Sequence, residues 1–357
     1  MVTKIIQAVA GAGKTYHVTH ELINQSRCLY VTFTNGNVQN IKKELADSGK
    51  NTETYSVMTF SKFIIDWFIY PFQNSLCPIY GQFKGFTKEK PISDARLPGY
   101  KNKDEIGHYI TTFGNLYLSR LSELVVSQNK TLLTSIFDRI SMFVDHIVVD
   151  EYQDLTGHDF NLLKIIAKQK QIDVTIVGDV FQSGVVNSLS NGKKDQKIAK
   201  FSSDDNITQF LEKIFASKKL QIDVDSLAKS RRISKECADF VTENLDIPIE
   251  SQEFSKGKVI FVESQSQLQQ ILDTEKKIEI LVYKNKNSHY NTWTYSKGDT
   301  YSSTLVVLTA NTDYLITGKS TKARLTNATR NSLYVALTRS AGNLYIVGSE
   351  LWKKYQV

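Results

Sequence analysis

The stretch Ala8-Val9-Ala10-Gly11-Ala12-Gly13-Lys14-Thr15 follows an apolar segment and runs into an amphipathic one. Glycines in such a loop let backbone N–H groups point inward around phosphate oxygens, and the N-terminus of a following helix adds positive potential. In this pattern Lys14 can reach the β- and γ-phosphates of a nucleotide, and the Thr15 hydroxyl can ligate Mg²⁺. The general pattern has glycine where this chain has Ala8. The stretch predicts a phosphate-binding loop (P-loop) between a first strand and a helix.

The segment His146-Ile147-Val148-Val149-Asp150-Glu151 has the pattern of a buried strand that ends in two carboxylates. Parallel strands present their carboxyl ends at one edge of a sheet, so these acids are expected beside the P-loop. Asp150 would then belong to the shell of Mg²⁺, and Glu151 would polarise the attacking water as a general base. An acidic surface turn is the alternative. Together the two segments predict a site that hydrolyses ATP with Mg²⁺.

The whole chain alternates short β-branched and aromatic runs with longer helical stretches, which is typical of parallel sheets with crossover helices. The predicted strands are Lys4–Val9, Cys28–Phe33, His146–Val149, Asp173–Val177, Lys258–Val262, Ile278–Tyr283, Thr304–Leu308 and Leu344–Val347. Helices are expected to begin at Lys14, Asn37, Gly157, Ser234 and Thr329. The chain is long enough for two domains, each with its own core.

Two segments interrupt this alternation. Residues from about 69 to 132 contain four prolines, with several glycines and lysines, and are predicted to form an irregular insert. Residues from about 184 to 219 are polar and lysine-rich and are predicted to link the domains, their lysines forming either a solvated loop or a contact surface. We therefore expect an N-terminal domain at residues 1–219 and a C-terminal domain at residues 220–357.

Composition and charge narrow the class of protein. The 357 residues are 41% hydrophobic, and no apolar run approaches the roughly 18 residues of a membrane span, so no membrane partner is expected. The N-terminus runs directly into the P-loop, which favours a first strand over a signal peptide. Three cysteines and six histidines lack the spacing of disulfides or metal sites, which favours a reducing, cytoplasmic location. The net charge of +7 favours a polyanionic partner.

The string Val149-Asp150-Glu151-Tyr152-Gln153-Asp154 resembles the D-E-x-Q-D box, motif II, of UvrD/Rep-like superfamily 1 helicases. Other segments resemble the remaining motifs of that family in the same order, namely Ala10–Thr15 (motif I), Val31–Asn35 (Ia), Val57–Phe60 (Ib), Val177–Ser183 (III), Leu227–Arg232 (IV), Ser296–Thr300 (V) and Leu333–Arg339 (VI). The resemblance implies an α/β fold, with two RecA-like parallel-sheet domains and a nucleotide cleft between them. It also implies an ATP-dependent helicase or translocase.

The same resemblance implies roles at the nucleotide. Gln182 would sense the γ-phosphate from the first domain, and Arg232 and Arg339 would reach it from the second. Two guanidiniums there would neutralise charge that spreads over the phosphate oxygens in the transition state. Arg231 is the alternative to Arg232 in the register of motif IV. The implied nucleotide contacts are Ala10, Gly11, Ala12, Gly13, Lys14, Thr15 and Gly298.

Single-stranded nucleic acid would contact a second set of residues, which the family uses for strand binding. Short hydroxyls and backbone amides suit phosphate contacts, and an aromatic ring gives any base a stacking face. The implied residues are Thr32, Phe33, Thr34, Asn35, Thr59, Phe60, Ser296, Lys297 and Thr300. As alternatives, Phe33 is a core residue at a strand end, and the ring of Phe60 packs on a helix.

Three departures from the family pattern affect the expected function. UvrD-like enzymes carry an adenine-reading glutamine about two dozen residues before the P-loop, whereas Gln7 here falls within the first strand, so use of GTP stays open. About sixty residues separate Arg232 from Ser296, so the family's large insert is missing. After motif III the chain continues Ser183-Gly184-Val185-Val186, without the expected aromatic residues.

We expect a nucleic-acid-dependent ATPase that translocates on single-stranded DNA, with DNA favoured over RNA and with some unwinding of short duplexes. The missing inserts favour an alternative, a nucleic-acid-stimulated ATPase switch with a protein partner, for instance a nuclease in defence or recombination.

Overall fold

The computed structural model describes residues 1–21, 27–76, 83–184, 198, 201, 206–217, 220–284, 289–317 and 325–356. Its strands are β1 (Thr3–Ala8), β2 (Cys28–Thr32), β3 (Tyr55–Thr59), β4 (Gly85–Thr87), β5 (Asn115–Tyr117), β6 (His146–Asp150), β7 (Asp173–Gly178), β8 (Gln221–Leu227), β9 (Lys229–Ser230), β10 (Glu250–Ser251), β11 (Val259–Val262), β12 (Ile278–Val282), β13 (Asn291–Thr292), β14 (Ser303–Val307) and β15 (Leu344–Val347). Its helices are α1 (Lys14–Tyr16), α2 (Asn35–Asp47), α3 (Phe60–Phe63), α4 (Tyr70–Leu76), α5 (Leu121–Val126), α6 (Lys130–Ser141), α7 (Gly157–Lys168), α8 (Ile207–Phe215), α9 (Lys235–Leu245), α10 (Gln265–Thr274), α11 (Tyr314–Thr317), α12 (Asn327–Leu337) and α13 (Ser349–Tyr355).

Six parallel strands form the first sheet, in the order β3-β2-β6-β7-β1-β8. The inner strands are buried along almost their whole length, as expected where helices cover both faces of a parallel sheet. Strand β7 lies between β6 and β1, with Ile176 opposite both Val149 and Ile5. The loops that follow these three strands therefore lie side by side at the carboxyl edge of the sheet.

Five parallel strands form the second sheet, in the order β11-β15-β14-β12-β13. Helix α12 lies where the two halves meet, and its residues 331–337 are all buried. The ring of Tyr334 on this helix packs against Phe181 of the first half, with ring centroids 6.2 Å apart. The predicted α/β class with parallel-sheet domains is confirmed.

The predicted elements agree closely with the observed ones. Each of the eight predicted strands is present with its ends within one residue of the prediction, and the five predicted helix starts fall within two residues. Among the described residues no helix is long and apolar enough to cross a membrane.

The expected boundary at residues 219 and 220 meets strand β8, which pairs with β1 in the first sheet. The chain therefore leaves the first sheet after Leu227. The predicted insert is also less irregular than expected, because β4 pairs with β5 and the buried face of α5 packs against α7. Most of the predicted linker, with Lys193 and Lys194, and also Val185, Val186 and Cys77, lies outside the described residues.

Candidate nucleotide-binding cleft

The P-loop follows β1 and turns through two glycines in the left-handed backbone region. The φ angles of Gly11 and Gly13 are 72° and 86°, which residues with a side chain rarely adopt. A Cβ atom on Gly11 would lie 2.7 Å from Cβ of Arg232 and 2.8 Å from Oγ of Ser230. The loop thus needs glycine both for its own turn and for the close approach of the segment after β8.

The two acids at the end of β6 lie in different environments. Burial, and then the charge of Glu151, raises the pKa of Asp150 to about 7. Burial acts on Glu151 in the same direction, but the ammonium groups of Lys14 and Lys297 outweigh it and hold the pKa of Glu151 well below its ordinary value. Oε1 of Glu151 lies 3.5 Å from Nζ of Lys14. Glu151 also has a φ of 59°, an uncommon backbone conformation for a residue other than glycine. The P-loop lysine and the second acid of motif II therefore meet, as the motifs predict.

A buried hydrogen-bond network joins motif III to the P-loop and to α12. The carboxylate of Asp179 accepts a hydrogen bond from Nε2 of Gln182 at 2.8 Å and another from the Tyr334 hydroxyl at 3.2 Å. The same hydroxyl accepts a hydrogen bond from the backbone N–H of Ala10 at 2.8 Å. The amide of Gln7 is part of this network, since it donates to Asp179 and accepts from the backbone of Val180. One tyrosine of the second half thus contacts two motifs of the first.

The two arginines of the second half contribute positive charge to the cleft, with Arg339 buried and Arg232 partly buried. Nη1 of Arg232 donates to the carbonyl of Thr338, and Arg339 donates to the carbonyls of Val335 and Asp299. Burial, and then the charge of Arg339, lowers the pKa of Arg232 to about 9, and burial lowers the pKa of Arg339. Within the described ranges neither guanidinium forms a salt bridge with a carboxylate. Two guanidiniums without a carboxylate partner, one buried and one partly buried, are a suitable environment for phosphate.

Motif V lies in the same cleft, and two of its residues, Lys297 and Ser296, do not lie at the strand-binding surface predicted for them. Lys297, predicted at the strand-binding surface, places Nζ 3.3 Å from Oε2 of Glu151 and 2.7 Å from both carboxylate oxygens of Asp154. Its neighbour Ser296 is fully buried and donates to the carbonyl of Trp293, whereas Thr300 is exposed. Gly298 has a φ of 95°, and a Cβ there would lie 4.0 Å from Oδ1 of Asn37 on α2.

The strand-binding residues predicted in the first half lie together at the ends of β2 and β3, where Thr32 is paired with Thr59. The hydroxyls of Thr34 and Thr59 cap α2 and α3 by accepting from backbone N–H groups. Thr34 and Asn35 are exposed, and the ring of Phe33 is half-buried against the core. The side chains of Thr32 and Phe60 are buried, so the structure does not bring either to the surface.

Sequence reasoning missed an aromatic stack beside the P-loop. The guanidinium of Arg231 lies 5.4 Å from the ring centroid of Tyr16, and that ring stacks on His20 with centroids 4.1 Å apart. A Cβ on Gly13 would lie 3.6 Å from Cδ of Arg231. The available signal was the position of Tyr16 directly after the motif I threonine. Tyr334 lies within motif VI, and the resemblance implied no role for it.

The residues expected to hold Mg²⁺ fit that ion. Thr15 and Asp150 offer oxygen ligands. Burial raises the pKa of the Asp150 carboxyl, and a neighbouring cation would lower that pKa again. No group of three or more His, Cys, Asp or Glu side chains suited to a metal occurs in the described part of the chain. Mg²⁺ needs no such group beside a nucleotide, because phosphates and water supply most of its ligands.

These features define a class of protein. A P-loop and an acid-ended strand in one parallel-sheet half face arginines from a second such half, and this is the arrangement of two-domain P-loop nucleotide hydrolases. Two family comparisons narrow the class. Residues 2–187 match a AAA domain family, and residues 115–348 match the viral superfamily 1 RNA helicase core domain. Each match covers more than half of the chain, which therefore belongs to the superfamily 1 helicase core family.

Comparison with solved structures gives helicases of low sequence identity. An arterivirus nonstructural protein 10 helicase in complex with DNA has 15% identity and a TM-score of 0.46, over 97% of this chain and 60% of that one. The PRRSV helicase has 12% identity and a TM-score of 0.46, over 98% and 52%. A second structure of the arterivirus protein has 17% identity and a TM-score of 0.48, over 97% and 59%. This chain thus spans between about half and three-fifths of those helicases. No curated protein matches.

Proposed function

We propose that this protein is an ATP-dependent helicase or translocase that hydrolyses ATP in the cleft and moves along single-stranded nucleic acid. One observation carries the proposal. Cationic side chains of the second half face the P-loop and Glu151 of the first half across a single cleft. They are Arg232, Arg339 and Lys297. This arrangement supports a site that is complete only when the two halves are together.

Each of these residues has a role that its chemistry supports. Lys14 would bind the β- and γ-phosphates, and Glu151 would accept a proton from the attacking water. The Thr15 hydroxyl and the Asp150 carboxylate would hold Mg²⁺, which supplies charge neutralisation at the phosphates. Four side chains would contact the γ-phosphate, namely those of Gln182, Arg232, Arg339 and Lys297.

Coupling to a strand would arise from closure of the cleft. Gly298 approaches Asn37 on α2, the helix that begins beside Thr34 and Asn35. A nucleotide that draws the two halves together would therefore also move motif V relative to motif Ia. We assign strand contact to the exposed residues of this edge, namely Thr34, Asn35 and Thr300, with the half-buried ring of Phe33.

Base recognition is proposed at the stack of Arg231 and Tyr16, which lies beside Gly13. A guanidinium and an aromatic ring both offer flat faces to a purine but few contacts to its edge. The Gln7 side chain is engaged with Asp179 and Val180 instead. We therefore expect GTP to be used with an efficiency close to that of ATP.

The motif order also supports a UvrD/Rep-like member of the superfamily that lacks the large accessory insert. Between Arg232 and Ser296 the described residues form only α9, α10 and β10 to β13. The same compactness is the observation that favours the second candidate, a nucleic-acid-stimulated ATPase switch in a larger complex. A switch would hydrolyse ATP on adding a strand but would neither displace a short duplex nor move along the strand.

The test measures ATP turnover alone and with single-stranded DNA or RNA of matched sequence. Turnover should rise when strand is added, because the strand would favour the closed arrangement. The comparison of DNA with RNA decides between DNA, the strand expected from the sequence, and RNA, the substrate named in the description of the matching family. Strand affinity should fall with salt at a log–log slope of roughly −0.7 per phosphate contacted. Strand-independent turnover without strand affinity at low salt would overturn the proposal.

A further inference from the structure

Asp154 has no part in the roles assigned above, yet it is among the most buried acids of the cleft. Its side chain is 3% exposed, and that of its partner Lys297 is 10% exposed. We propose that Asp154 is a positioning residue that holds Lys297 against the first half of the protein and so sets how far the cleft is closed before nucleotide binds. The inference rests on the proposed function, because it concerns regulation of the same site.

The geometry of the pair is specific. Both carboxylate oxygens of Asp154 lie 2.7 Å from Nζ of Lys297. Asp154 ends the turn after β6, whereas Lys297 lies in the loop between β13 and β14, so the pair joins the two halves of the protein. Burial acts to lower the pKa of Lys297, but Asp154 and Glu151 outweigh it and raise the pKa, which keeps the ammonium charged. The contact is therefore an ion pair and not a neutral hydrogen bond.

The partners of the two acids separate their roles. Glu151 lies near the ammonium groups of Lys14 and Lys297, whereas in the described residues Asp154 forms a salt bridge with Lys297 alone. No hydrogen bond or salt bridge among those residues joins Asp154 to the P-loop. Asp154 can thus affect the nucleotide through the position of Lys297, and not by direct contact.

Loss of one partner in a buried ion pair leaves the other charge less compensated. Without Asp154 the ammonium of Lys297 would keep only Glu151, and that carboxylate is shared with Lys14. When the cleft opens, water hydrates both charges, so the penalty falls on the closed arrangement only. Removal of Asp154 should therefore weaken the apparent affinity for nucleotide, because nucleotide binds the closed state and that state would be less populated. Turnover at saturating ATP should change little.

The experiment compares Asp154→Asn with the conservative Asp154→Glu and with Asp145→Asn. Asp145 is the matched control, since it pairs with Arg27 in an exposed salt bridge just before the same strand. In Asp154→Asn we expect KM for ATP to rise roughly 100-fold, with kcat within about threefold of wild type. Asp154→Glu should recover most of the affinity, and Asp145→Asn should leave both constants unchanged.

A second readout needs no turnover. Spin labels on Glu53→Cys and Lys256→Cys, in a chain with Cys77→Ser, report the distance between the two halves. Asp154→Asn and Lys297→Gln should each lengthen this distance before nucleotide is added, and saturating ATP analogue should shorten it again in Asp154→Asn. An unchanged distance, or a fall in kcat at unchanged KM, would overturn the inference. Absence of ATPase activity in the wild-type protein would instead contradict the proposed function. The distance measurement would still test the inference about Asp154.

Discussion

The nucleotide cleft and the proposed strand-binding edge adjoin each other on the first sheet, but they are fixed in different ways. In the cleft, Glu151 lies between a lysine of the P-loop and a lysine of the second half, and all three side chains are largely buried. At the strand-binding edge, Thr34 and Thr59 are held by the caps of their own helices. A site whose side chains come from both halves depends on every partner. An edge whose side chains are held by the nearby backbone should lose less of its function with each substitution. We make four predictions that test this difference, from the largest expected effect to the smallest.

The largest effect is expected at Arg339, which the second half contributes to the cleft. Arg339→Ala should lower ATP turnover by about 10³-fold, the scale of an arginine finger, because developing charge on the γ-phosphate loses a guanidinium. Arg330→Ala is the control, because Arg330 lies on α12 and its guanidinium donates to the carbonyl of Phe201. Steady-state hydrolysis and circular dichroism of both variants check the prediction, and equal turnover in the two would contradict it.

The next effect concerns the first half of the cleft. Glu151→Gln should bind nucleotide normally but hydrolyse it at least about 100-fold more slowly, because the amide cannot accept the proton from water. Lys14→Ala should instead lose nucleotide binding, since the phosphates lose their cation. Fluorescent-nucleotide titration together with turnover separates the two defects. Near-normal turnover in Glu151→Gln would remove the general-base assignment.

A smaller effect is expected at the strand-binding edge. Phe33→Ala should weaken binding of single strands by about 1–3 kcal/mol if its exposed face stacks on a base. Phe60→Ala is the comparison, because its ring is buried and its loss should lower the melting temperature without a selective loss of strand affinity. A Phe33 variant with reduced stability and unchanged strand affinity would assign that ring to the core.

The smallest effect tests a residue with two roles. Thr34→Ala should lower the free energy of unfolding by about 1 kcal/mol, because α2 loses its N-cap. Thr34→Ser keeps a hydroxyl and should keep the stability. Denaturant unfolding measures the cap, and strand titration of the same variants measures the phosphate contact. If Thr34→Ala and Thr34→Ser gave the same result in both measurements, the Thr34 hydroxyl would have neither the capping role nor the phosphate contact.

The sequence predicted the central strands because these are short apolar runs buried on both faces. It missed β8, whose residues Gln221–Leu227 alternate polar and apolar side chains and lie at the sheet edge, where only one neighbour pairs with them. It also missed β3, an edge strand of similar character. These two edge strands lack a continuous hydrophobic run, and their pairing with β1 or β2 depends on contacts distant along the chain.

The cleft shows the same limit at the level of side chains. Motif spacing indicated Lys14 and Glu151, since the loops after the parallel strands of one sheet lie at the same edge of that sheet. Nothing local to Lys297 indicates that it meets an acid 143 residues earlier in the chain. The hydroxyl of Tyr334 reaches a backbone amide even further away, at Ala10. Such contacts follow from how two separate sheets pack, and this packing is not encoded in any one segment.

The close approach at Gly11 has a consequence for trapping the protein. A single methyl group at this residue would meet Arg232 and Ser230 well inside van der Waals contact. Gly11→Ala would then hold the second half away from the first and would also strain the turn of the P-loop, while the acids Asp150 and Glu151 would stay in place. Such an open form would make it possible to measure what the first half binds when the second half is not in contact with it.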